Sequence, residues 1–207
     1  MMTEGEIPPE VHDYLRFYET DFGRKILRRE AEYIRSFLSD CDKILDVGCG
    51  PGVFEKELSD LDIVGLDADS VMIAAAQSIA GNEFRVSNAE KLPFQEGSFD
   101  GLFSVATLCF MDDPFRAVDE WARVLRPKGK FVALLCNPHS HHFQGMLTRG
   151  GYTARNLKHT DFTPIVDYLE GKFNTQGEYF LGVKDESVFD SDNPKTASIY
   201  AVKGTLK

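Results

Sequence analysis

The sequence predicts an α/β fold in which a mostly parallel sheet carries helices on both faces. From residue 43 onward, runs rich in β-branched and aromatic residues alternate with helical runs, which is typical of parallel strands joined by crossover helices. A glycine-rich turn follows the first strand-like run. Two strand-like runs near the end of the sequence are separated by a short acidic loop, which indicates an antiparallel hairpin at one edge of the sheet.

Each predicted element has a place along the chain. Two helices, separated at Gly23, are expected over residues 8–39 and belong to an N-terminal helical cap, 1–40. Strands are predicted at 43–47, 62–66, 83–86, 99–106 and 130–136, and helices after Gly52, at 70–80 and at 114–125. The segment 137–176 is expected to be an insertion or lid with one helix, 161–173, and otherwise irregular chain. The last two strands are predicted at 177–184 and 196–204.

Length and composition limit the class of protein. With 207 residues, of which 43% are hydrophobic, the chain can build one substantial core, so residues 1–207 are expected to form a single domain. The sequence has no apolar run near the length of about 20 residues that spans a bilayer. Its acidic start does not resemble a secretory signal. We therefore expect a cytoplasmic protein without a membrane partner.

Charge and cysteine content narrow the expected partners. The net charge of -10 disfavours nucleic acid as a partner, because Lys and Arg supply most of the affinity for phosphate backbones. The four cysteines are scattered without a CxxC pair, and we expect reduced thiols.

The sharpest motif is ILDVGCGPGVF, residues 44–54, which places Asp46 and three glycines directly after a hydrophobic strand. Gly48, Gly50 and Gly52 permit a tight turn and remove the Cβ atoms that would hold a ligand away from the backbone. A helix begins at this turn, and helix N-termini commonly bind ligands. The motif therefore predicts a ligand site at the carboxyl end of the first strand.

A dinucleotide site is the competing interpretation of this motif. Asp67 lies 19 residues after Gly48 (67 − 48 = 19), close to the spacing of about 20 in NAD-binding proteins. The glycine pattern is GxGxG, however, and Val53 stands where the dinucleotide fingerprint has Gly or Ala. Asp46 beside the loop would repel a pyrophosphate but suits a cofactor with ammonium and sulfonium charges. An NAD-dependent oxidoreductase remains the alternative.

Several motifs together carry a resemblance to a known family. They occur in family order over residues 43–136 and are DVGCGPG (46–52), Asp67, NAEKLPF (88–94), SFD (98–100) and EWARVLRPKG (120–129). On these motifs the chain resembles the small-molecule "type 11" family of class I S-adenosylmethionine-dependent methyltransferases. The resemblance implies a Rossmann-like seven-stranded sheet of order 3-2-1-4-5-7-6 with an antiparallel last strand.

The resemblance also implies S-adenosyl-L-methionine as cofactor and gives site residues their roles. Asp46 and the glycine loop would surround the methionine end, Asp67 would accept hydrogen bonds from both ribose hydroxyls, and the backbone N–H of Ala89 would meet the adenine edge. Asn88 stands where the family usually has Asp, so its amide contributes an acceptor without a charge. The complete set of expected cofactor contacts is Asp46, Gly48, Cys49, Gly50, Gly52, Asp67, Ala68, Asn88, Ala89, Glu90 and Ser104.

The expected reaction is in-line methyl transfer to a small-molecule acceptor, in which the cofactor supplies the reactive group and the protein aligns the acceptor. A non-catalytic cofactor-binding homologue is the second alternative. No catalytic residue is assigned. His139, His141 and His142 follow the fifth strand and are candidates for a general base, and the competing interpretation is a polar loop. The histidines lack nearby carboxylates, so no metal site is predicted.

The acceptor pocket is predicted between the N-terminal helices, the turn 108–112 and the insertion 137–176. The insertion contributes a mixture of apolar and polar side chains that suits a small organic molecule. Its apolar members are Phe143, Met146, Leu147, Tyr152 and Phe162. Cys109 and Cys136 lie at strand ends on this face, where they either pack as buried apolar residues or bind a soft metalloid.

Overall fold

The computed structural model describes residues 9–150 and 152–207 and confirms the predicted alternation. The helices are α1 (Pro9–Glu19), α2 (Asp21–Leu38), α3 (Val53–Glu57), α4 (Ser70–Ile79), α5 (Pro114–Val124), α6 (His141–Arg149), α7 (Tyr152–Asn156) and α8 (Thr163–Lys172). The strands are β1 (Ile44–Val47), β2 (Ile63–Asp67), β3 (Glu83–Val86), β4 (Phe99–Val105), β5 (Leu125–Cys136), β6 (Phe173–Lys184), β7 (Ser187–Phe189) and β8 (Ala197–Leu206). A 3-10 turn, Leu108–Phe110, follows β4.

The described residues form one eight-stranded sheet of order β3-β2-β1-β4-β5-β8-β6-β7. The first five strands in this order are parallel, and β8 is antiparallel to both β5 and β6. The predicted Rossmann-like α/β fold is therefore confirmed, and its seven-strand order corresponds to this sheet without β7. The short strand β7 lies in the acidic loop and pairs with the end of β6. A strand of three residues is too short to show a periodicity, which explains its absence from the prediction.

Helices cover both faces of the sheet, so the central strands are apolar on both sides. On one face, α5 and α8 bury a cluster that includes Trp121, Phe131 and Phe173. On the other, α2 and α3 bury Ile34 and Phe54 with their neighbours. These two layers leave the carboxyl ends of the parallel strands as the edge where functional groups can gather. Among the described helices, none is both long and apolar enough to cross a membrane.

The break between the two N-terminal helices lies at Thr20, so the prediction of a break at Gly23 was wrong. Thr20 caps α2 by accepting a hydrogen bond from the Gly23 N–H at 2.9 Å. Gly23 is buried inside α2, and a Cβ atom added there would lie 2.0 Å from the Phe17 carbonyl oxygen. The glycine allows the end of α1 to pack closely on α2. In the sequence alone, a glycine kept for such packing cannot be told from a glycine that ends a helix.

The first part of the insertion 137–176 contains the helices α6 and α7, where irregular chain was predicted. Ser140 caps α6 by accepting a hydrogen bond from the Phe143 N–H at 3.1 Å. The buried Asn137 amide donates to the carbonyl oxygens of Pro194 and Ala197, both at 2.7 Å, and so ties the end of β5 to the start of β8. The two helices have 9 and 5 residues, which is shorter than the window of about 11 residues over which helical periodicity is detected.

A pair of glycine variants tests the packing of α1 on α2. Gly23→Ala is expected to lower the free energy of unfolding by about 3 kcal/mol, because the new methyl group overlaps the backbone of α1. The matched control is Gly171→Ala in α8, where no atom lies within 4 Å of an added Cβ. That variant should gain about 0.5 kcal/mol, since alanine restricts the unfolded chain. Denaturant unfolding measures both effects, and equal stabilities for the two variants would contradict this packing.

Candidate active site

The glycine loop between β1 and α3 adopts left-handed backbone at Gly48, Gly50 and Gly52, with φ of 84°, 52° and 79°. Two of these glycines are required by contacts inside the protein. A Cβ on Gly48 would lie 2.2 Å from the Thr107 side chain, and one on Gly52 would lie 2.9 Å from the Ala76 Cβ. Gly50 differs, because only one described atom, the Tyr14 hydroxyl at 4.0 Å, lies near its added Cβ. The space above Gly50 is therefore where a ligand can approach the backbone.

Asp67 at the end of β2 contacts this loop directly. Its Oδ2 accepts a hydrogen bond from the Gly50 N–H at 2.9 Å, and its Oδ1 accepts one from the Asp69 N–H at 2.9 Å. Burial raises the pKa of Asp67, and these backbone donors oppose the rise. An ionised carboxylate has about four acceptor positions, so acceptor capacity remains for hydroxyl donors. The structure thus brings together Asp67 and Gly50, two of the residues expected at the cofactor site.

Asp46 at the end of β1 forms a buried pair with Glu55 of α3. The two residues are 1% and 0% exposed, and no donor in the described part of the chain bonds their carboxyl oxygens. Burial, followed by the neighbouring Glu55 charge, raises the pKa of Asp46 well above its usual range, and burial raises that of Glu55 to about 7. Two adjacent carboxyl groups in a low-dielectric interior do not both ionise, so they share a proton. A cationic group beside Asp46 would stabilise its charged form.

Sequence reasoning missed Glu55, which stands in the short helix VFEKE directly after the glycine loop. A charged residue there is expected to face water, because glutamate is almost never fully buried without a partner. The carboxyl group finds space against Gly65 of β2, where an added Cβ would lie 2.6 Å from the Glu55 Oε1. The signal in the sequence was therefore the combination of a helical glutamate and a glycine in the adjacent strand.

The segment 88–94 forms a turn beside the end of β3. The Asn88 Oδ1 accepts a hydrogen bond from the Glu90 N–H at 2.8 Å, so the acceptor expected to face adenine already serves the turn. The Glu90 carboxylate accepts a hydrogen bond from the Asp113 N–H at 3.2 Å. Ala89 between them is buried, and its backbone N–H has no partner among the hydrogen bonds of the described residues. The N–H of Ala89 is therefore a free donor in this turn.

Glu120 and Arg123 of α5 hold the same segment in place. Glu120 accepts a hydrogen bond from the Leu92 N–H at 2.8 Å, and Arg123 donates to the carbonyl oxygens of Leu92 and Phe94 at 3.1 and 2.8 Å. The two side chains also form an ion pair with each other at 2.6 Å. These residues belong to the EWARVLRPKG motif, and their structural role explains why that motif accompanies the site.

Other residues expected at the cofactor site have side chains that serve the fold. The buried Ser104 hydroxyl donates to the Val47 carbonyl at 2.8 Å and joins β4 to β1. The Cys49 thiol is buried and donates to the Gly50 carbonyl at 3.6 Å. Ala68 is exposed next to Asp67. Ser104 and Cys49 could therefore contact a ligand only through their backbone atoms.

The three candidate histidines differ in their surroundings. His139 and His141 are exposed, whereas His142 is partly buried, with its ring 6.3 Å from the Phe22 ring. Burial, and then the charge of Arg149, lowers the pKa of His142, so it is neutral at pH 7. Only His142 faces the N-terminal helices. Within the ranges 9–150 and 152–207, no group of three or more His, Cys, Asp or Glu residues could hold a metal ion.

The predicted acceptor side combines α1, α2 and the ends of β4 and β5. The thiols of Cys109 and Cys136 pair with each other, and this pairing lowers the pKa of Cys109 and raises that of Cys136. The carboxyl group of Glu30 is close enough to raise the pKa of both Cys136 and Tyr18. Burial raises the pKa of Tyr14, whose hydroxyl points toward Gly50 although the residue is 40% exposed. Glu30 was not identified from the sequence.

The apolar residues predicted for the acceptor pocket are only partly free. Phe143 is buried, and Phe162 stacks on Tyr200 at 4.7 Å and packs against the main core, so both support the fold. Met146 and Leu147 are partly exposed, and the Tyr152 side chain lies outside the described residues. His159, which sequence reasoning missed, has its Nε2 3.0 Å from the Met111 carbonyl oxygen and secures the chain after α7 to the turn 108–112.

The buried Glu30 predicts a pH-dependent stability. Burial raises its pKa from 4.5 to about 8. Above pH 4.5 the unfolded chain releases this proton while the folded chain keeps it, so the free energy of unfolding falls until the pH has risen through about 8. Replacing Glu30 with Gln should therefore remove a loss on the order of 3 kcal/mol between pH 5 and pH 8.5. Denaturant unfolding at both pH values measures this, with the exposed Glu32→Gln as control. The same pH dependence in Glu30→Gln and the parent chain would contradict the burial of an unpaired carboxyl.

Comparison with known proteins shows what the chain is similar to. Residues 45–133 match a family model described as a methyltransferase domain. The chain is 36% identical over 104 residues to an O-methyltransferase of Aspergillus sclerotiorum, a match that covers 45% of this chain and 39% of the relative. It is 40% identical over 100 residues to an O-methyltransferase of Aspergillus nomiae, with 44% of each chain covered. The chain therefore spans less than half the length of these curated relatives.

Solved structures show the same fold over nearly the whole chain. A SAM-dependent methyltransferase of Thermotoga maritima, described as a possible histamine N-methyltransferase, superposes with a TM-score of 0.80 at 22% identity, covering 95% of this chain and 96% of that one. A SAM-dependent methyltransferase of Archaeoglobus fulgidus gives a TM-score of 0.73 at 17% identity, with 93% and 99% covered. Residues 45–133 therefore match a methyltransferase domain, and the chain has the Rossmann-like fold of class I methyltransferases.

Proposed function

We propose that the chain uses S-adenosyl-L-methionine to methylate a small-molecule acceptor. The observation that carries this proposal is the contact between Asp67 and the N–H of Gly50, with open space above Gly50. Beside the loop lies the buried Asp46, whose carboxyl oxygens accept no hydrogen bond from an N–H donor of the described residues. These groups fit a ligand that offers hydroxyl donors at one end and positive charge at the other. A dinucleotide fits less well, because the carboxylates would repel its pyrophosphate.

Individual residues would hold the cofactor through groups that the fold leaves free. Asp67 has acceptor capacity for ribose hydroxyls, and Ala89 has a free backbone N–H for the adenine edge. Asp46 and the backbone of the loop 48–52 would surround the methionine end, where the ammonium group meets a buried carboxyl. When bound, S-adenosyl-L-methionine would supply an electrophilic methyl group. Cys49, Ala68, Asn88, Glu90 and Ser104 remain proposed as neighbours of the cofactor.

The remaining task of the protein is to align an acceptor and exclude water. Tyr14 lies over the glycine loop on α1, which is suited to cover a ligand at Gly50. Holding the acceptor atom in line with the reactive methyl group gives most of the rate acceleration in such reactions. We propose that residues 1–40 and 137–176, of which 1–8 and 151 lie outside the described residues, form the walls of the acceptor pocket on a single domain. The net charge of -10 and the curated O-methyltransferase relatives favour a small molecule over nucleic acid.

A transfer experiment tests this proposal. The full chain is incubated with methyl-labelled S-adenosyl-L-methionine and separate small-molecule, protein and nucleic-acid fractions of a cell extract. We expect label in a small-molecule product, and the amount of label should increase with the amount of the protein added. Label confined to protein or nucleic acid would contradict the acceptor class. Cofactor binding without transfer to any fraction would instead support a non-catalytic cofactor-binding protein.

A further inference from the structure

Glu30 stands out in a helix face that is otherwise apolar or small. The buried residues of α2 recur at helical spacing and form the stripe that packs on the sheet: Gly23, Ile26, Leu27, Glu30, Ala31, Ile34 and Leu38. Glu30 is the charged member of this stripe and is only 4% exposed. A buried carboxyl is normally paired, because desolvation disfavours its charge strongly. Here burial raises the pKa of Glu30 without an opposing hydrogen bond or positive charge.

The surroundings of Glu30 place it on the acceptor side of the site. Its charge acts on Tyr14 and Tyr18 of α1 and on Cys136 at the carboxyl end of β5. Tyr14 in turn lies within reach of the charges of Asp46 and Asp67, on the side proposed for the cofactor. Glu30 therefore lies near Tyr14, whose hydroxyl is 4.0 Å from the position of a Cβ added to Gly50, at the end of the sheet where this fold binds ligands.

Aromatic rings form a continuous row beside this carboxyl group. The ring centroids of Tyr14 and Tyr18 are 5.3 Å apart, those of Phe17 and Tyr18 5.0 Å, and those of Phe17 and Phe22 5.9 Å. Tyr14 and Phe17 keep 40% and 38% of their surface exposed, so their ring faces are available to a ligand. Aromatic faces attract cations, and a carboxylate does so more strongly, whereas both disfavour an anionic acceptor.

Resting on the proposed function, we propose that the acceptor is a small amine and that Glu30 binds its ammonium group and takes up the proton. The ammonium form R–NH3+ cannot attack, because its nitrogen has no lone pair. Proton transfer to the Glu30 carboxylate gives R–NH2 and a neutral carboxyl group. The nitrogen lone pair then forms the N–C bond while the C–S bond breaks, with its electron pair left on sulfur. The product is R–NH2+–CH3, and Glu30 returns its proton to water.

The carboxyl group has suitable basicity for this role. A general base is most effective when its pKa lies near the working pH, and burial raises that of Glu30 to about 8. An ordinary exposed glutamate would be a much weaker base at pH 7. An ammonium ion beside Glu30 would stabilise its charged form, which burial alone disfavours.

Binding to the cofactor-product complex tests the proposal before the natural acceptor is known. The full chain is first saturated with S-adenosylhomocysteine and then titrated with phenethylamine, tryptamine and hexylamine. The matched alcohols 2-phenylethanol, indole-3-ethanol and hexanol share the apolar groups but lack the charge. We expect at least one amine to bind about tenfold more tightly than its alcohol, and Glu30→Gln to remove that difference. Glu32→Gln, an exposed substitution on the same helix, should keep it.

The outcomes separate this proposal from the one on which it rests. If S-adenosylhomocysteine does not bind, both proposals are contradicted. If it binds but none of the three amines is preferred over its alcohol, only the amine proposal is overturned. The same applies if Glu30→Gln keeps the preference while remaining folded. Methyl transfer to the preferred amine, lost in Glu30→Gln and kept in Glu32→Gln, would complete the support.

Discussion

Replacing Asp67 with Ala is expected to weaken binding of S-adenosylhomocysteine about thirtyfold, equivalent to about 2 kcal/mol. The carboxylate would provide charge-assisted acceptors for two hydroxyls, and no neighbouring group replaces them. The substitution also removes the acceptor of the Gly50 N–H, so the glycine loop loses a contact that fixes its position. Calorimetric titration of the folded variant measures the change in dissociation constant.

Asp62→Ala provides the matched control for this variant. Asp62 is an exposed acidic residue just before β2, on the same strand connection but at the opposite end from Asp67. It changes the net charge equally, so a general electrostatic effect would appear in both variants. An unchanged dissociation constant in Asp67→Ala would remove this residue from the site.

Alanine substitutions in the glycine loop should separate stability from binding. Gly48→Ala is expected to lower the free energy of unfolding by about 3 kcal/mol or more, since it combines left-handed backbone with a clash against Thr107. Gly50→Ala should lose only about 1 kcal/mol of stability, because its Cβ enters open space. In Gly50→Ala, however, affinity for S-adenosylhomocysteine should fall about tenfold or more, since the methyl group occupies the ligand's approach.

Gly97 supplies the control for left-handed backbone alone. It has a φ of 64°, and the nearest atom to an added Cβ is the Arg126 Cγ at 3.9 Å, away from the glycine loop. Gly97→Ala should match the stability loss of Gly50→Ala while binding the ligand normally. If Gly50→Ala also bound normally, the space above Gly50 would not be the ligand's position.

The alternation of strands and helices made the fold predictable, because each parallel connection needs a helix of recognisable length. The errors arose where tertiary contacts decide. Gly23 resembles a helix break but allows two helices to touch, and β7 is an edge strand of three residues. The helix α6 has only nine residues, too few for its helical spacing to be recognised in the sequence. In each case the deciding contact joins residues that no local pattern links.

Some residues of the candidate site could likewise be predicted from the sequence and others could not. The proximity of Gly50 and Asp67 could be predicted, because both follow neighbouring parallel strands at the same edge of the sheet. The buried carboxyl groups of Glu30 and Glu55 could not, because glutamate on a helix normally indicates a solvent-facing position. The Ser104 hydroxyl, predicted near the cofactor, is bonded to the Val47 carbonyl, which only the pairing of β4 with β1 reveals.

Calorimetric titration of the full chain with S-adenosylhomocysteine and, separately, with NAD tests the identity of the cofactor. We expect one saturable site per chain for S-adenosylhomocysteine and no binding of NAD, because Asp46 and Asp67 suit an ammonium group and ribose hydroxyls and would repel a pyrophosphate. Binding of NAD without binding of S-adenosylhomocysteine would contradict this expectation.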